Sequence, residues 1–151
     1  EPVWHIDTMA PDIYKTVNSL RRMKVLRKIL QETQSFVMHC TKAKTKLLKV
    51  ASTLLGDRSH LYLYVDGYSM ADLVDISNHR LEEHMITLKK VWTGHVEKCA
   101  VCQGKASKCP LCKNPEVVFP FHLTDNVSCK DCKTVYHRKC LGKDKCKCPK
   151  K

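Results

Sequence analysis

Residues 99–148 read CAVCQGKASKCPLCKNPEVVFPFHLTDNVSCKDCKTVYHRKCLGKDKCKC and hold nine of the ten cysteines of the chain. The cysteines form short pairs, with one histidine in register: Cys99 and Cys102, Cys109 and Cys112, Cys129 and Cys132, His137 and Cys140, and Cys146 and Cys148. Two thiolates two residues apart can bind one metal ion, and two such pairs complete a tetrahedron around Zn2+. The spacing therefore predicts that these residues are zinc ligands.

Other uses of paired cysteines fit this sequence less well. Disulfides are dense in small secreted domains, but here a histidine replaces one cysteine in register and the rest of the chain is lysine-rich and helical in pattern. A redox CxxC motif occurs singly beside a βαβ pattern, which this sequence lacks. A catalytic zinc keeps an open coordination position, whereas paired thiolates favour closed sites. We therefore expect structural zinc and no enzymatic activity.

The spacing leaves open how the ligands are shared among two or three zinc ions. Adjacent pairs as close as Cys132 and His137 bind different ions in treble-clef and cross-brace modules. One partition joins Cys109 and Cys112 to His137 and Cys140, and Cys129 and Cys132 to Cys146 and Cys148. Cys99 and Cys102 then bind a third ion, for which His95 is the nearest further ligand. A second partition places the pairs Cys99–Cys102 and Cys109–Cys112 on a single ion.

The first half of the chain has a helical pattern after an irregular stretch at residues 1–11. No proline or glycine occurs between Asp12 and Leu55, and apolar residues recur there every three or four positions. This predicts one long helix, or two with a joint near Gln34 and Ser35, ended by Gly56. Cys40 lies on the apolar stripe and is expected to pack as a small buried side chain.

A second helix is predicted after a short extended segment at residues 60–65. Ser69 and Asp72 resemble a capping box that begins it, and its apolar stripe reaches Trp92 before Gly94. Two amphipathic helices bury their stripes against each other. The predicted fold is mainly α: a long helical hairpin or small bundle (1–94), followed by a cysteine-rich multi-zinc subdomain (95–151) with short β-hairpins, the two forming one domain.

The composition restricts the class of partner. The 151 residues carry a formal net charge of +12, which favours acidic partners. Aromatic residues do not alternate with the basic runs, so nucleic-acid binding is not expected. No apolar run approaches the ~20 residues of a membrane span, nor does the N-terminus resemble a signal peptide. The missing initiator methionine indicates a fragment of a longer protein, and reduced cysteines indicate the cytosol or nucleus.

Several motifs together resemble one family, the Rubicon homology domain. They are Ala10-Pro-Asp-Ile-Tyr14, Leu26-Arg27, His60-Leu-Tyr-Leu63, Tyr68-Ser-Met-Ala-Asp-Leu73, Val118-Phe-Pro-Phe121 and the cysteine pairs from Cys99 to Cys140, with His95 four residues before the first of them. The resemblance covers nearly the whole chain, which corresponds to the C-terminal part of the family domain. The last pair, Cys146 and Cys148, departs from the CPxC knuckle that is usual in the family.

The resemblance implies a zinc-stabilised helical module that binds the GTP form of a late-endosomal Rab GTPase. Such a module acts in autophagy and endolysosomal traffic, as a cytoplasmic protein peripheral on late endosomes or lysosomes. Arg21, Lys24 and Lys28 share one helical face and are the expected partner-binding residues. Two alternatives are FYVE-like binding of phosphoinositides or acidic membranes through Arg138 and Lys139, and a RING-type ubiquitin ligase.

Overall fold

The computed structural model describes residues 3–10, 12–112, 116–129 and 132–141. Its helices, in chain order, are α1 (Ile6–Met9), α2 (Ile13–Thr16), α3 (Asn18–Met38), α4 (Lys44–Leu55), α5 (His60–Leu63), α6 (Met70–Ser77), α7 (Arg80–Lys98), α8 (Ala100–Lys105) and α9 (Arg138–Leu141). In the described ranges, none of them combines the length and the apolar character that crossing a membrane requires.

Two small antiparallel sheets lie in the cysteine-rich part. Strand β1 (Ser107–Lys108) pairs with β2 (Val117–Val118), and β3 (Asn126–Ser128) pairs with β4 (Val135–His137). Ser107 lies opposite Val118, and Val127 lies opposite Tyr136. The predicted fold class, mainly helical with a cysteine-rich part and short β-hairpins, is confirmed.

Helices α3 and α7 form the centre of the hydrophobic core because their apolar residues recur at helical spacing. The fully buried side chains of α7 are Leu81, Met85, Leu88, Trp92 and Val96, and those of α3 include Met23, Leu30 and Val37. Helix α4 packs beside α7, where the indole Nε1 of Trp92 donates a hydrogen bond of 3.0 Å to the Leu47 carbonyl. The core therefore includes three helices, α3, α4 and α7, and the buried indole of Trp92 has a hydrogen-bond partner within it.

The cysteine-rich part is attached to this core through aromatic side chains. The ring of Phe36 on α3 meets those of Phe119 and Phe121 edge-on, at centroid distances of 5.8 and 6.1 Å. Edge-to-face packing of this kind stabilises a contact beyond the area that it buries. The segment after β2 thus belongs to the main core.

Two local signals in the sequence are confirmed. The Asp72 amide donates to Ser69 Oγ at 3.2 Å and the Ser69 amide to Asp72 Oδ2 at 2.9 Å, which completes the capping box of α6. Gly56 ends α4 with φ of 65°, a left-handed conformation that glycine adopts readily.

Three predicted boundaries are wrong. The joint in the first helical stretch lies at residues 39–43, because the buried Phe36 and Val37 keep α3 helical past Gln34 and Ser35. The second stretch is divided at His79, which has φ of 64°, into α6 and α7. Helix α7 also continues through Gly94 to Lys98, since one glycine does not end a helix whose neighbouring turns are buried.

Two segments predicted to be extended or irregular are in fact partly helical. Residues 60–63 form the helical turn α5 rather than a strand. At the N-terminus, α1 lies within residues predicted to be irregular, and Trp4 forms an antiparallel bridge with Tyr68 through two backbone hydrogen bonds of 2.9 Å. Both segments take their conformation from distant parts of the chain.

Replacing Gly94 with alanine is expected to raise the free energy of unfolding by about 0.5–1 kcal/mol, because glycine costs this much relative to alanine inside a helix. Apart from its chain neighbours and the backbone of its own helix, no atom lies within 4 Å of the Cβ position at Gly94, so the new methyl group meets no obstacle. Urea denaturation at constant zinc concentration measures the change.

Gly67→Ala is the matched control for this substitution. Gly67 has φ of 108°, and a Cβ there would lie 2.9 Å from Cγ1 of Val3. This variant is expected to be less stable than the wild type. A stabilising effect at both positions would contradict the structural reason given for Gly94.

Candidate metal centres

Four metal-binding side chains meet at each of two places in the described residues. The first group consists of Cys40, His95, Cys99 and Cys102, and the second group of Cys109, Cys112, His137 and Cys140. Within each group the ligand atoms all lie within 4.8 Å of one another. Each group offers three sulfur atoms and one imidazole nitrogen.

The first group lies where the main helices end. Cys40 follows the C-terminus of α3, His95 is in the last turn of α7, Cys99 is the junction between α7 and α8, and Cys102 is in α8. The Cys40 Sγ is 3.3 Å from His95 Nε2 and 3.9 Å from Cys99 Sγ. The group therefore joins two core helices that are far apart in sequence.

The second group lies in the small sheets. Cys109 and Cys112 follow β1, His137 ends β4 and Cys140 is in α9. The His137 Nδ1 is 3.3 Å from Cys112 Sγ and 3.7 Å from Cys140 Sγ. Among the described residues, the buried hydrophobic cluster around it consists of Cys109, Val118, Val135 and Tyr136, which is too small a core to hold the small sheets by burial alone.

The distances in both groups fit tetrahedral zinc. Zn–S bonds of about 2.3 Å and Zn–N bonds of about 2.0–2.1 Å give edges of about 3.8 Å between sulfurs and about 3.6 Å between sulfur and nitrogen. The edges quoted above range from 3.3 to 3.9 Å. A disulfide needs sulfurs about 2.05 Å apart, and none of the eight described cysteines forms one. Both groups could therefore bind zinc.

Thiols in the first group differ in their tendency to ionise. A hydrogen bond from the Cys102 backbone lowers the pKa of the Cys99 thiol below its usual value, with further hydrogen bonds from Val101, Cys40 and Cys102. Burial raises the pKa of the Cys102 thiol to about 12, and the neighbouring Cys40 and Cys99 add to this. Because adjacent thiolates repel each other, a dication is the natural means of ionising the whole set.

The thiols of the second group also differ in pKa. Burial alone would raise the pKa of Cys109, but backbone hydrogen bonds from His137 and Leu111, helped by the Cys112 and Cys140 side chains, lower it to about 6. Burial raises the pKa of Cys140 to about 11, together with the nearby thiols of Cys112 and Cys109. The thiol of Cys109 therefore ionises readily, whereas that of Cys140 needs a nearby positive charge to become a thiolate.

The structure brings together the residues that the first partition assigned to one ion, Cys109, Cys112, His137 and Cys140, and it places His95 beside Cys99 and Cys102. The second partition is wrong, because the pairs Cys99–Cys102 and Cys109–Cys112 lie in different groups. Cys129 and Cys132 belong to neither group, and their expected partners, Cys146 and Cys148, lie outside the described residues.

Sequence reasoning missed the role of Cys40. It was expected to pack as a small apolar side chain, and it is indeed buried, but its sulfur completes the first group. A signal was available, since His95, Cys99 and Cys102 supply three ligands and a structural zinc site needs four. Cys40 was the one cysteine left unassigned.

The three predicted partner-binding residues lie along the surface of α3, where each already has a local contact. The Arg21 guanidinium donates to the Asn18 side chain, the Lys24 amine lies 4.4 Å from the centre of the Tyr14 ring, and the Lys28 amine is 3.0 Å from the Glu32 carboxylate. Exposed contacts of this type are weak.

Replacing Cys112 with serine is expected to remove one zinc ion per chain while leaving the helical core folded. Serine is a poor zinc ligand, and the small sheets have little hydrophobic cluster to replace the metal. The helices keep their own core and the first group. Elemental analysis measures the zinc content, and circular dichroism measures helicity; a loss of most of the helical signal would contradict this expectation.

Comparison with known proteins gives one family. A family model described as the Rubicon Homology Domain matches residues 1–151. The chain is 30% identical over 150 residues to the Differentially expressed in FDCP 8 homolog of Drosophila melanogaster, covering 99% of the chain and 30% of that protein. It is 30% identical over 147 residues to the Run domain Beclin-1-interacting and cysteine-rich domain-containing protein of Mus musculus, covering 97% and 15%.

A human protein shows similar coverage. The chain is 26% identical over 148 residues to the Protein associated with UVRAG as autophagy enhancer of Homo sapiens, covering 97% of the chain and 22% of the relative. The chain thus matches less than a third of the length of each of these relatives, and almost all of its own length takes part in each match.

Proposed function

The chain belongs to the Rubicon homology domain family, and from this premise we propose that it is a zinc-stabilised, non-catalytic interaction module that binds the GTP form of a Rab GTPase. The mouse relative's name refers to interaction with Beclin-1, and the human relative's name to association with UVRAG and to autophagy. The human relative's name supports a role in autophagy. We further propose that the chain acts in endolysosomal traffic, at the cytoplasmic surface of late endosomes or lysosomes.

The observation that carries the proposal is the first group, which joins the end of α3 to the end of α7. With zinc bound there, the two longest helices form a rigid unit that can present a fixed surface to a partner. Each group supplies four protein ligands and leaves no open coordination position, which favours a structural role for the metal. A third zinc ion, bound by Cys129, Cys132, Cys146 and Cys148, is part of the proposal.

We assign the partner surface to the exposed face of α3 that carries Arg21, Lys24 and Lys28. Their present contacts, with Asn18, Tyr14 and Glu32, are at the surface and can be exchanged for acidic groups of a partner at little cost. Rim charges of this kind mainly raise the rate of association.

Retention of a panel of Rab GTPases on the immobilised chain tests the proposal, each loaded with GDP or with a non-hydrolysable GTP analogue. Retention of one or a few members only in the GTP-analogue form is expected, with two or three zinc ions per chain on the same preparation. The variant Arg21→Glu/Lys28→Glu should weaken this binding, and the charge-matched variant Lys108→Glu/Lys133→Glu should not. Equal binding of both nucleotide forms would overturn the effector role.

Phosphoinositide binding is a second candidate, favoured by one feature. A depression of about 590 Å3 beside the second group is lined by His122, Arg138 and Lys139, but also by Glu116 and Asp125. The Arg138 Nε already donates a hydrogen bond of 2.8 Å to the Leu123 carbonyl. Vesicles that contain phosphoinositides test this reading: binding that disappears in Arg138→Ala/Lys139→Ala would support it, and binding that depends only on ionic strength would not.

A further inference from the structure

Helices α4 and α7 border a surface groove. The two helices run antiparallel, because Lys42, just before α4, lies by Gly94 near the end of α7, while Leu54 near the end of α4 lies by Thr87. The hydrogen bond from Trp92 to the Leu47 carbonyl holds them together underneath. Two depressions lie along this pair of helices, one of about 330 Å3 lined by Lys46, Val50, Leu54 and Thr87 and one of about 480 Å3 lined by Lys42, Gly94 and Lys98. We call the strip of surface that contains them the groove.

The floor of the groove is apolar and contains a gap. Val50 and Leu54, which line the smaller depression, are half-buried on α4. Val91, which is 37% exposed on α7, lies in sequence between Thr87 of the smaller depression and Gly94 of the larger one. Thr87, Val91 and Gly94 follow at spacings of four and three, so they share one face of the helix. The side of Gly94 is open, with nothing within 4 Å of its Cβ position apart from its chain neighbours and the backbone of its own helix. From Thr87 to Lys98 this face is about 16 Å long.

The rim of the groove is basic. Lys42, Lys46 and Lys49 recur at helical spacing along the α4 side, and Lys98 lies at the end of the α7 side. All four lysines are exposed, and within the described part of the chain none of them forms an ion pair. The sequence contains no aspartate or glutamate from residue 33 to 56 or from residue 84 to 96.

The beginning of α4 adds to this positive charge. Lys44 and Lys46 lie in its first turn, where the helix dipole disfavours cations. The N-cap residue Ala43 has no side chain that could cap the helix, and the first turn contains no acidic residue. An anionic group that approaches this end would therefore meet both the lysines and the positive end of the helix dipole.

We propose that the groove between α4 and α7 binds an acidic amphipathic helix of a partner protein. Apolar side chains of that helix lie on Val50, Leu54 and Val91, its backbone comes close at Gly94, and its carboxylates pair with the lysines on the rim. A concave channel with basic edges suits a chain segment of about three turns better than a flat bilayer. This site lies on other helices than the α3 face assigned to the GTPase, and its test is independent of that assignment.

Selection from a phage-displayed library of random 16-residue peptides on the immobilised, zinc-loaded chain tests the proposal. The enriched peptides are expected to carry apolar residues at spacings of three and four, flanked by aspartate or glutamate. Synthetic copies then give dissociation constants by fluorescence anisotropy. Vesicles with phosphatidylserine and a random-sequence DNA duplex are measured in parallel, because both are anionic and neither is an amphipathic helix.

Two variants distinguish peptide binding in the groove from nonspecific attraction to the positive charge of the chain. Lys46→Glu/Lys49→Glu reverses the rim, and Gly94→Gln fills the gap with a good helix former; each is expected to weaken peptide binding at least tenfold. Lys108→Glu/Lys133→Glu changes the net charge by the same amount as the first variant, at exposed positions in the cysteine-rich part, and should leave binding within twofold. Zinc content and Trp92 fluorescence confirm that each variant is folded.

The outcomes divide clearly. Acidic amphipathic peptides that lose affinity in both groove variants support the proposal. Failure to enrich peptides, enrichment of peptides without acidic residues, or binding that Gly94→Gln leaves unchanged would overturn it. If vesicles or DNA bind through Lys46 and Lys49 and no peptide binds, the proposal is also overturned. The lysines would then belong to a binding site for a different anionic partner.

Discussion

Replacing Cys40 with serine is expected to remove one zinc ion and to loosen the helical core, although the nearest other ligand of its group, His95, is 55 residues away. Structural zinc contributes on the order of 10–16 kcal/mol in small fingers. A whole domain is stable by about 5–15 kcal/mol. Losing the ion of the first group therefore removes a contribution as large as the net stability of the fold.

Trp92 is a suitable reporter for this prediction. It is fully buried, lies one turn before His95 on α7 and donates to the Leu47 carbonyl of α4. In a Trp4→Phe background, Cys40→Ser should shift the emission of Trp92 to longer wavelength and lower the midpoint of thermal unfolding. Elemental analysis of the same sample should show one zinc ion fewer per chain.

Cys112→Ser is the matched control, since it also removes one sulfur ligand and one zinc ion. Its group is surrounded by the small cluster of the cysteine-rich part, away from Trp92, so the emission of Trp92 should stay at the wild-type wavelength. Full zinc content in Cys40→Ser, or the same Trp92 response in both variants, would contradict a separate role for the first group.

The sequence predicted features whose causes are local. The capping box of Ser69 and Asp72 needs only residues three positions apart, and the end of α4 at Gly56 needs only one glycine. The cysteine pairs are local for the same reason. Spacing within a pair shows that two sulfurs can reach one ion, and three of the five pairs, Cys99–Cys102, Cys109–Cys112 and His137–Cys140, each lie within one of the two groups.

Contacts between residues far apart in the sequence could not be predicted in this way. Cys40 looks like any other residue of an apolar stripe, because its place in the first group depends on the packing of α3 against α7. Gly94 looks like a stop signal, yet the buried residues on either side of it, Trp92 and Val96, continue the helix. In both cases tertiary packing decides between two readings that the local sequence allows.

Residues 60–65 show the same limit most clearly. Their aromatic and β-branched side chains favour a strand, but the backbone carbonyls of this segment are held by Arg27 from α3. Within this segment the guanidinium donates to the carbonyl of His60, at the start of α5, and to that of Tyr64, which directly follows α5. A buried side chain on another helix thus sets the conformation of this segment.

Replacing Arg27 with methionine is expected to destabilise the domain by several kcal/mol, because each buried carbonyl left without its donor costs about 1–3 kcal/mol. Arg27 is fully buried. Its guanidinium donates to the carbonyls of Gly67 at 2.7 Å, His60 at 2.9 Å, Tyr64 at 3.0 Å and Asp66 at 3.1 Å, and it lies 4.6 Å from the centre of the Tyr68 ring. Methionine keeps an unbranched apolar stem but lacks the guanidinium, so these carbonyls lose the hydrogen bonds that Arg27 donates.

The geometry of this contact makes lysine a poor substitute. The guanidinium spreads its donors in a plane, which lets it reach four carbonyls at once, while an ammonium is a single point. Arg27→Lys should therefore be less stable than the wild type but more stable than Arg27→Met. Urea denaturation followed by circular dichroism, at constant zinc concentration, orders the three proteins.

Arg22→Met on the same helix is the matched control for the loss of an arginine. The Arg22 side chain is 51% exposed and its Nε pairs with Glu82 at 2.7 Å, a surface contact that water can replace. Its loss should change stability far less than the loss of Arg27. Equal destabilisation by the two substitutions would mean that the four carbonyls find other donors, and that α3 does not fix the segment from His60 to Gly67 through Arg27.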